Sequence, residues 1–175
     1  MALMLDEDVR YEENLPFPLI TVVMVILLLI ALLMLILFVV QLVSGPIGDT
    51  PTPDWFYLVM FFLMVAVTLV VANFRVLAIR ITDQSVTVAF GLIKRMITWG
   101  DIEESFLDNS SPLGYGGWGA RIARIEGRWR LAFNVIGASG VVLRLRKGRA
   151  REFMFSTKNP EQVLDIINRQ TGVSG

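Results

Sequence analysis

The chain of 175 residues contains no cysteine and no histidine. Those two absences exclude disulfides, thiolate nucleophiles, Cys/His zinc sites, imidazole bases and histidine-ligated haem. A carboxylate-only Mg²⁺ or Ca²⁺ site would call for a DxDxDG-type loop, and none is present. Lys, Arg, Asp and Glu are missing from two long stretches, 17–43 and 55–74. Each stretch is long enough to cross a hydrocarbon core of about 30 Å, which takes roughly 20 helical residues.

What is present is divided unevenly. Before Arg75 there is one basic residue, Arg10, against seven acidic ones; from Arg75 onward there are fifteen basic against nine acidic, formally +6. A basic half suits an anionic surface, and cytoplasmic segments beside a membrane are commonly basic as well. The first sixteen residues are acidic where a signal peptide would be positive, and the apolar run that follows is too long for an h-region. We read residues 1–15 as an acidic tail and the run as a retained first span.

The membrane hairpin is expected over residues 16–74, with spans at 17–43 and 55–74 and the loop SGPIGDTPTPD at 44–54. Pro16 and Pro18 suit a helix start, because proline is tolerated in the first turn and not in the interior. From Pro16 the first run would extend about 42 Å as a helix, so it would tilt or emerge into the interface. Trp55 and Tyr57, with Phe56, form an aromatic belt at one interface, and Arg75 and Arg80 mark the other. The loop has no Lys or Arg, whereas Arg75, Arg80, Lys94 and Arg95 follow the second span. By the positive-inside rule the loop lies outside, and both termini and the basic domain are cytoplasmic. The only polar residues in the spans are Thr21, Gln41, Thr68 and Asn73. A transport path would need ionisable groups at depth, so anchoring is the expected role.

After Phe74 the period changes to two. Val86, Val88 and Phe90 alternate with Thr87 and Ala89; Trp129, Leu131, Phe133 and Val135 alternate with Arg128, Arg130, Ala132 and Asn134; Val141, Leu143 and Leu145 follow suit. Turn signals separate these runs at 82–84, 91, 99–101, 126–127, 137–140 and 147–148, the pattern of an antiparallel sheet or barrel. Asn159 as N-cap, Pro160 at the first helical position, Gln162 in a capping box and Gly172 at the end predict a helix over about 160–170. Its apolar face is Val163, Ile166 and Ile167. Trp129, Leu131, Phe133, Leu143, Phe153 and Ile167 are the expected core.

The segments IRITDQSVTVAFGLIKRMITWGDIEE (79–104), YGGWGAR (115–121) and STKNPEQVLDII (156–167) give this region a resemblance. It is similar to the pleckstrin-homology-like (PH-like) domain of small prokaryotic membrane proteins, in particular the bacterial PH family found after one or two spans. The resemblance covers most of 76–170. It implies an α+β membrane protein in which residues 75–175 form a partly open seven-stranded antiparallel barrel capped by the C-terminal helix. It implies no shared catalytic residue.

Three clusters could carry chemistry. Gly114, Gly116 and Gly119 spell G-x-G-x-x-G, yet a dinucleotide fingerprint must follow a parallel strand and open a helix. A glycine-rich connection with Tyr115 and Trp118 packed on the sheet is the expected reading. Asp101, Glu103, Glu104 and Asp108 read as solvated charge, with Glu103 on the face opposite Ile102 and Glu104. The basic hairpin is the sharpest feature. A two-residue loop at Lys147-Gly148 would set Arg146 against Arg149 and Arg144 against Arg151, and like charges directly opposite are unfavourable. A three-residue loop, 147–149, pairs Leu143 with Phe153, Val141 with Phe155 and Arg144 with Glu152, and gathers Arg146, Lys147, Arg149 and Arg151 at the tip. We adopt the second register.

The expected function is that of a membrane-anchored, non-enzymatic interaction module. Its partners would be the bilayer and another membrane protein or complex, in which it is an accessory or scaffolding subunit. A reader of anionic lipid headgroups is the alternative, and an enzyme a second one. No cofactor, nucleic acid or small-molecule substrate is expected.

Overall fold

Pro18 opens a helix α1 that runs unbroken to Ser44 (Pro18–Ser44), and α2 spans Asp54–Ala72. The computed structural model describes residues 8–46, 51–110, 112–125, 127–148 and 150–172, with the side chains of 112 and 113 left aside. Both helices are long and apolar enough to cross a membrane. They pack on each other as a hairpin, burying Ala31, Gln41 and Thr68 while most other side chains face outward. Buried polar groups in an apolar setting need partners. Thr68 Oγ1 donates to Met64 O at 2.7 Å, and Gln41 Nε2 donates to Thr52 O at 2.7 Å and to the Asp54 carboxylate. Gln41 thus ties the end of α1 to the first turn of α2.

The strands form a second unit, which takes in the residues up to Phe17 as well as those from Val76 onward. Here the structure corrects the expected acidic tail. Residues Val9–Pro16 are strand β1, paired antiparallel with β2 (Val76–Thr82) from Val9↔Thr82 to Pro16↔Val76. β3 (Ser85–Phe90) and β4 (Ile93–Thr98) complete a four-stranded sheet in the order β1-β2-β3-β4. Leu15, Leu77, Ile79, Ile81, Val86, Val88 and Phe90 share its buried face. Polar side chains secure β1 too: Tyr11 and Thr157 donate to the Glu13 carboxylate at 2.7 and 2.6 Å, as does the Lys158 amide at 3.1 Å. Arg10 pairs with Asp83 in the β2–β3 turn.

A short 3₁₀ turn at Trp99–Asp101 leads into the second sheet. It contains β5 (Ile102–Asp108), β6 (Gly119–Ile125), β7 (Arg128–Asn134), β8 (Ser139–Leu145) and β9 (Glu152–Thr157), in the order β5-β8-β9-β7-β6. β7 and β9 run parallel, from Arg130↔Glu152 to Phe133↔Phe155. The strands therefore make two open sheets with one parallel pair, where a single antiparallel barrel was expected. Phe90 of the first sheet meets Phe133 of the second at 5.7 Å between ring centres, and Phe133 meets Phe153 at 5.3 Å. Helix α3 (Pro160–Thr171) covers β5, β8 and β9 with Val163 and Ile167.

The helix has Pro160 in its first turn, and Gly172, at φ 69°, closes its end by donating its backbone N–H to Asn168 O. Asn159 departs from the expected capping role: its side chain makes no cap bond, and its amide reaches Tyr11 OH at 3.3 Å instead. Of the expected core, Phe133, Leu143, Phe153 and Ile167 are buried and Leu131 is half-buried. Trp129 is 54 % exposed, because β7 is covered only from Arg130 onward and its first residues lie beyond the packed region.

Candidate functional site

The β8–β9 connection is a hairpin whose pairing matches the three-residue loop. Val141 faces Phe155, Leu143 faces Phe153 and Arg144 faces Glu152. Leu145 N then donates to Arg151 O at 2.7 Å. Val141, Leu143, Phe153 and Phe155 fall on one face, and Arg144 and Glu152 on the other beside buried Val142 and Met154, so a slip by one residue would exchange the two sets. Arg146 N donates to Asp101 O at 2.9 Å, and Arg146 Nε to Ile102 O at 3.4 Å, which hold the tip against the Trp99–Asp101 turn. Arg146, Lys147 and Arg151 are exposed at this tip, and none forms a salt bridge among the described residues. Arg149, expected with them, lies outside the described residues.

The tip has a definite place along the sheets. Trp99 Nε1 donates to Asp83 O at 2.8 Å and Trp99 N to Gln84 O at 3.4 Å, so the turn that holds Arg146 sits at the β2–β3 turn. The opposite end of the first sheet carries Pro16, Val76, Phe90 and Ile93 side by side. A strand of six or seven residues separates the two ends by about 20 Å.

Beneath the tip the charged face of the second sheet forms a shallow cleft lined by Glu103, Arg128, Arg144, Leu145, Arg151 and Glu152. Its floor is a buried ionic network. Arg130 binds Glu152 at 2.7 Å and Asp108 at 3.0 Å, with its side chain 4 % exposed and theirs 2 % and 3 %. Tyr115 joins from the loop over the sheet, donating to Asp108 at 2.8 Å and accepting from Arg130 at 2.6 Å. Arg128 and Arg144 approach Glu152 at 3.4 and 3.6 Å, Arg144 also pairs with Glu104, and its guanidinium lies 5.3 Å from the Phe106 ring centre.

Burial by itself would raise the Glu152 pKa; hydrogen bonds from Arg130 and Arg128 and the Arg144 charge outweigh it and hold the carboxyl below its ordinary value. Burial pushes the Tyr115 phenol up to about 12, helped by Asp108 and opposed by Arg130. The network is compensated charge, suited to holding the hairpin base rigid.

Two expectations about this face change. Asp108 is a buried partner of Arg130, where solvated charge was expected. Glu104 lies on the face opposite Ile102, because the pairing of β5 with β8 slips between them: Ile102 faces Leu145 and Glu104 faces Arg144. Gly140 is required where β8 passes Asp108, since a Cβ there would lie 2.7 Å from the Asp108 Cβ. The glycine run is a connection, as expected: Gly116, Gly117 and Gly119 have positive φ and lead into β6, with Tyr115 buried and Trp118 half-buried.

Trp55 and Tyr57 occupy the first turn of α2, and Arg75 follows its end. Arg80 lies within β2, facing Glu12 and Thr87 across its neighbours. Sequence reasoning missed Arg130, Tyr115 and the role of Asp108. Their meeting depends on the parallel β7–β9 pair, which local alternation does not reveal. No family model matches the chain, nor does any curated protein or solved structure compared with it.

Proposed function

We propose that the chain is a membrane-anchored, non-enzymatic docking module. The helical hairpin holds it in the bilayer and the β domain presents its basic hairpin tip to an acidic face of a larger membrane complex, of which it is an accessory subunit. The observation that carries this reading is the position of Arg146, Lys147 and Arg151. They stand exposed at the end of the sheets remote from Pro16 and Val76, the residues nearest the two helices in the chain. A tip built to read headgroups of the same bilayer belongs at the other end, so its place favours a protein partner over lipid. The rigid ionic base beneath the tip suits recognition by preorganised arginines.

The strands-then-helix order supports the PH-like part of the reading, while the two open sheets and the parallel pair depart from the barrel it implies. The pairing of β1 with β2 supports the proposed topology, because strands in one sheet lie on one side of any membrane crossed between them. The positive-inside rule then makes that side cytoplasmic.

The decisive experiment neutralises Arg146, Lys147, Arg149 and Arg151 together in the full chain. Recovery of the partner complex from native membranes should fall, and the loss should shrink as salt rises, since the screening length drops from about 10 Å at 0.1 M to 3 Å at 1 M. The melting temperature should hardly move, because exposed charges contribute little to stability. Undiminished partner recovery would reject the docking role, and loss of vesicle binding alone would favour the lipid reading.

A further inference from the structure

The end of the first sheet opposite the basic tip carries its own exposed feature. β3 and β4 are joined by Gly91 and Leu92, and the Leu92 side chain is 94 % exposed, the most exposed large apolar residue described. Ile93 and Val76 beside it are 41 % and 39 % exposed. Lys94 and Arg95 follow, both exposed, and no carboxylate occurs anywhere in 84–100. In water an apolar turn of this kind is unfavourable.

The chain limits where this rim can go. Pro16 and Val76 are neighbours in the sheet, and so are Leu77 and Phe90. Only Phe17 separates Pro16 from α1, and three residues, Asn73 to Arg75, separate α2 from Val76. Fully extended, that second link spans at most about 14 Å. With 19 residues, α2 is about 28 Å long, close to the thickness of the hydrocarbon core, so its end lies at the core boundary. The Pro16–Val76 end of the sheet is therefore tethered within about 14 Å of that boundary. Adjacent strands are about 4.8 Å apart, so the β3–β4 turn lies about 5–10 Å from Val76 along the same edge.

We propose that the Gly91–Leu92 turn is a second membrane contact: Leu92 and Ile93 enter the bilayer interface, and Lys94 and Arg95 meet the phosphates of anionic lipids. Aliphatic side chains beside long basic ones suit that layer, the basic stems lying along the apolar region while their charges reach the headgroups. The contact fixes which end of the β domain faces the membrane and keeps the Arg146 tip turned away from it. It rests on the proposed anchoring by the two helices.

The cysteine-free sequence permits single labels in the full chain. A fluorophore at Ile93→Cys, with Leu92 in place, would be compared with one at Lys147→Cys on the basic tip and one at Leu63→Cys within α2. In vesicles containing phosphatidylglycerol, iodide should quench the label at 93 several-fold less than the label at 147, and a headgroup-level nitroxide lipid should quench it more. Adding Leu92→Asn should remove most of that protection. Replacing Lys94 and Arg95 by glutamine should abolish the difference between vesicles with and without phosphatidylglycerol. Equal iodide access at 93 and 147, with 63 still shielded, would overturn the contact while leaving the anchor standing. Iodide access at 63 would overturn the anchor, and the contact with it.

Discussion

Glu152 faces Arg130 with both side chains buried, while Arg128 and Arg144 approach it from the cleft. Removing one side of such a pair leaves the other charge buried without compensation, at a cost of about 3–5 kcal/mol. Glu152→Ala should therefore lower the melting temperature of the full chain in detergent far more than Arg146→Ala. The pH dependence has a definite sign. With its folded pKa below the ordinary value of 4.5, ionised Glu152 stabilises the fold above that pH, and the contribution is lost as pH falls through the lower folded value. Tyr115 acts at the other extreme: its stabilisation holds below pH 10.0 and is lost as pH rises from there to about 12. Thermal melts across both ranges should show the two declines, and Tyr115→Phe should flatten the alkaline one. In the core, Phe133 lies between Phe90 and Phe153, so Phe133→Ala should cost about 3–5 kcal/mol. Trp129→Ala should cost less than about 1 kcal/mol, as is usual at exposed positions. Alternation correctly marked Phe133, Leu143 and Phe153, because their strands are covered along that face. It failed at Trp129, and the solvated reading of Asp108 failed too, because coverage there is decided by an overlying loop and by strand order.

Among the elements, β1 carries the clearest consequence. Residues 1–15 were read as a tail because acidic residues such as Asp8, Glu12 and Glu13 dominate them, yet Leu15 is buried and Glu13 serves as an acceptor at the β9–α3 junction. Deleting residues 1–16 should uncover Leu77, Ile79 and Ile81 and make the β domain sensitive to protease; a deletion variant as resistant as the intact chain would contradict the pairing. A fragment beginning at residue 76 lacks this strand, so stability is best measured on the whole chain. The apolar helices, the last helix and the β8–β9 register were legible because each rests on local pattern: long uncharged runs, Pro160 and Gly172 at the ends, and the matching of Arg144 to Glu152. β1 and the parallel β7–β9 pair were not, because backbone pairing between distant segments leaves little trace in side-chain periodicity.

For the molecule as a whole, the proposed topology predicts that cysteines in the loop and in the β domain label from opposite sides of intact cells. Gly48, outside the described residues, serves for the loop. Ser156 is a poor choice for the domain, since it is buried and hydrogen-bonded to the Val135 amide, whereas Lys158 is exposed. Gly48→Cys should react with an impermeant reagent from outside and Lys158→Cys only after permeabilisation. External reaction at 158 would reverse the assignment.

The pairing of β1 with β2 also makes the assembly sensitive to its own biosynthesis. Arg10 and its partner Asp83 are 73 positions apart, with both apolar helices between them. The first strand must wait until the whole hairpin has been made before its neighbour exists. A chain that inserted only one helix would leave the two strands in different compartments, with the Leu77–Ile79–Ile81 face unsealed. On the proposed topology, completion of the sheet would report correct insertion, since a chain that failed it would keep the Leu77–Ile79–Ile81 face unsealed.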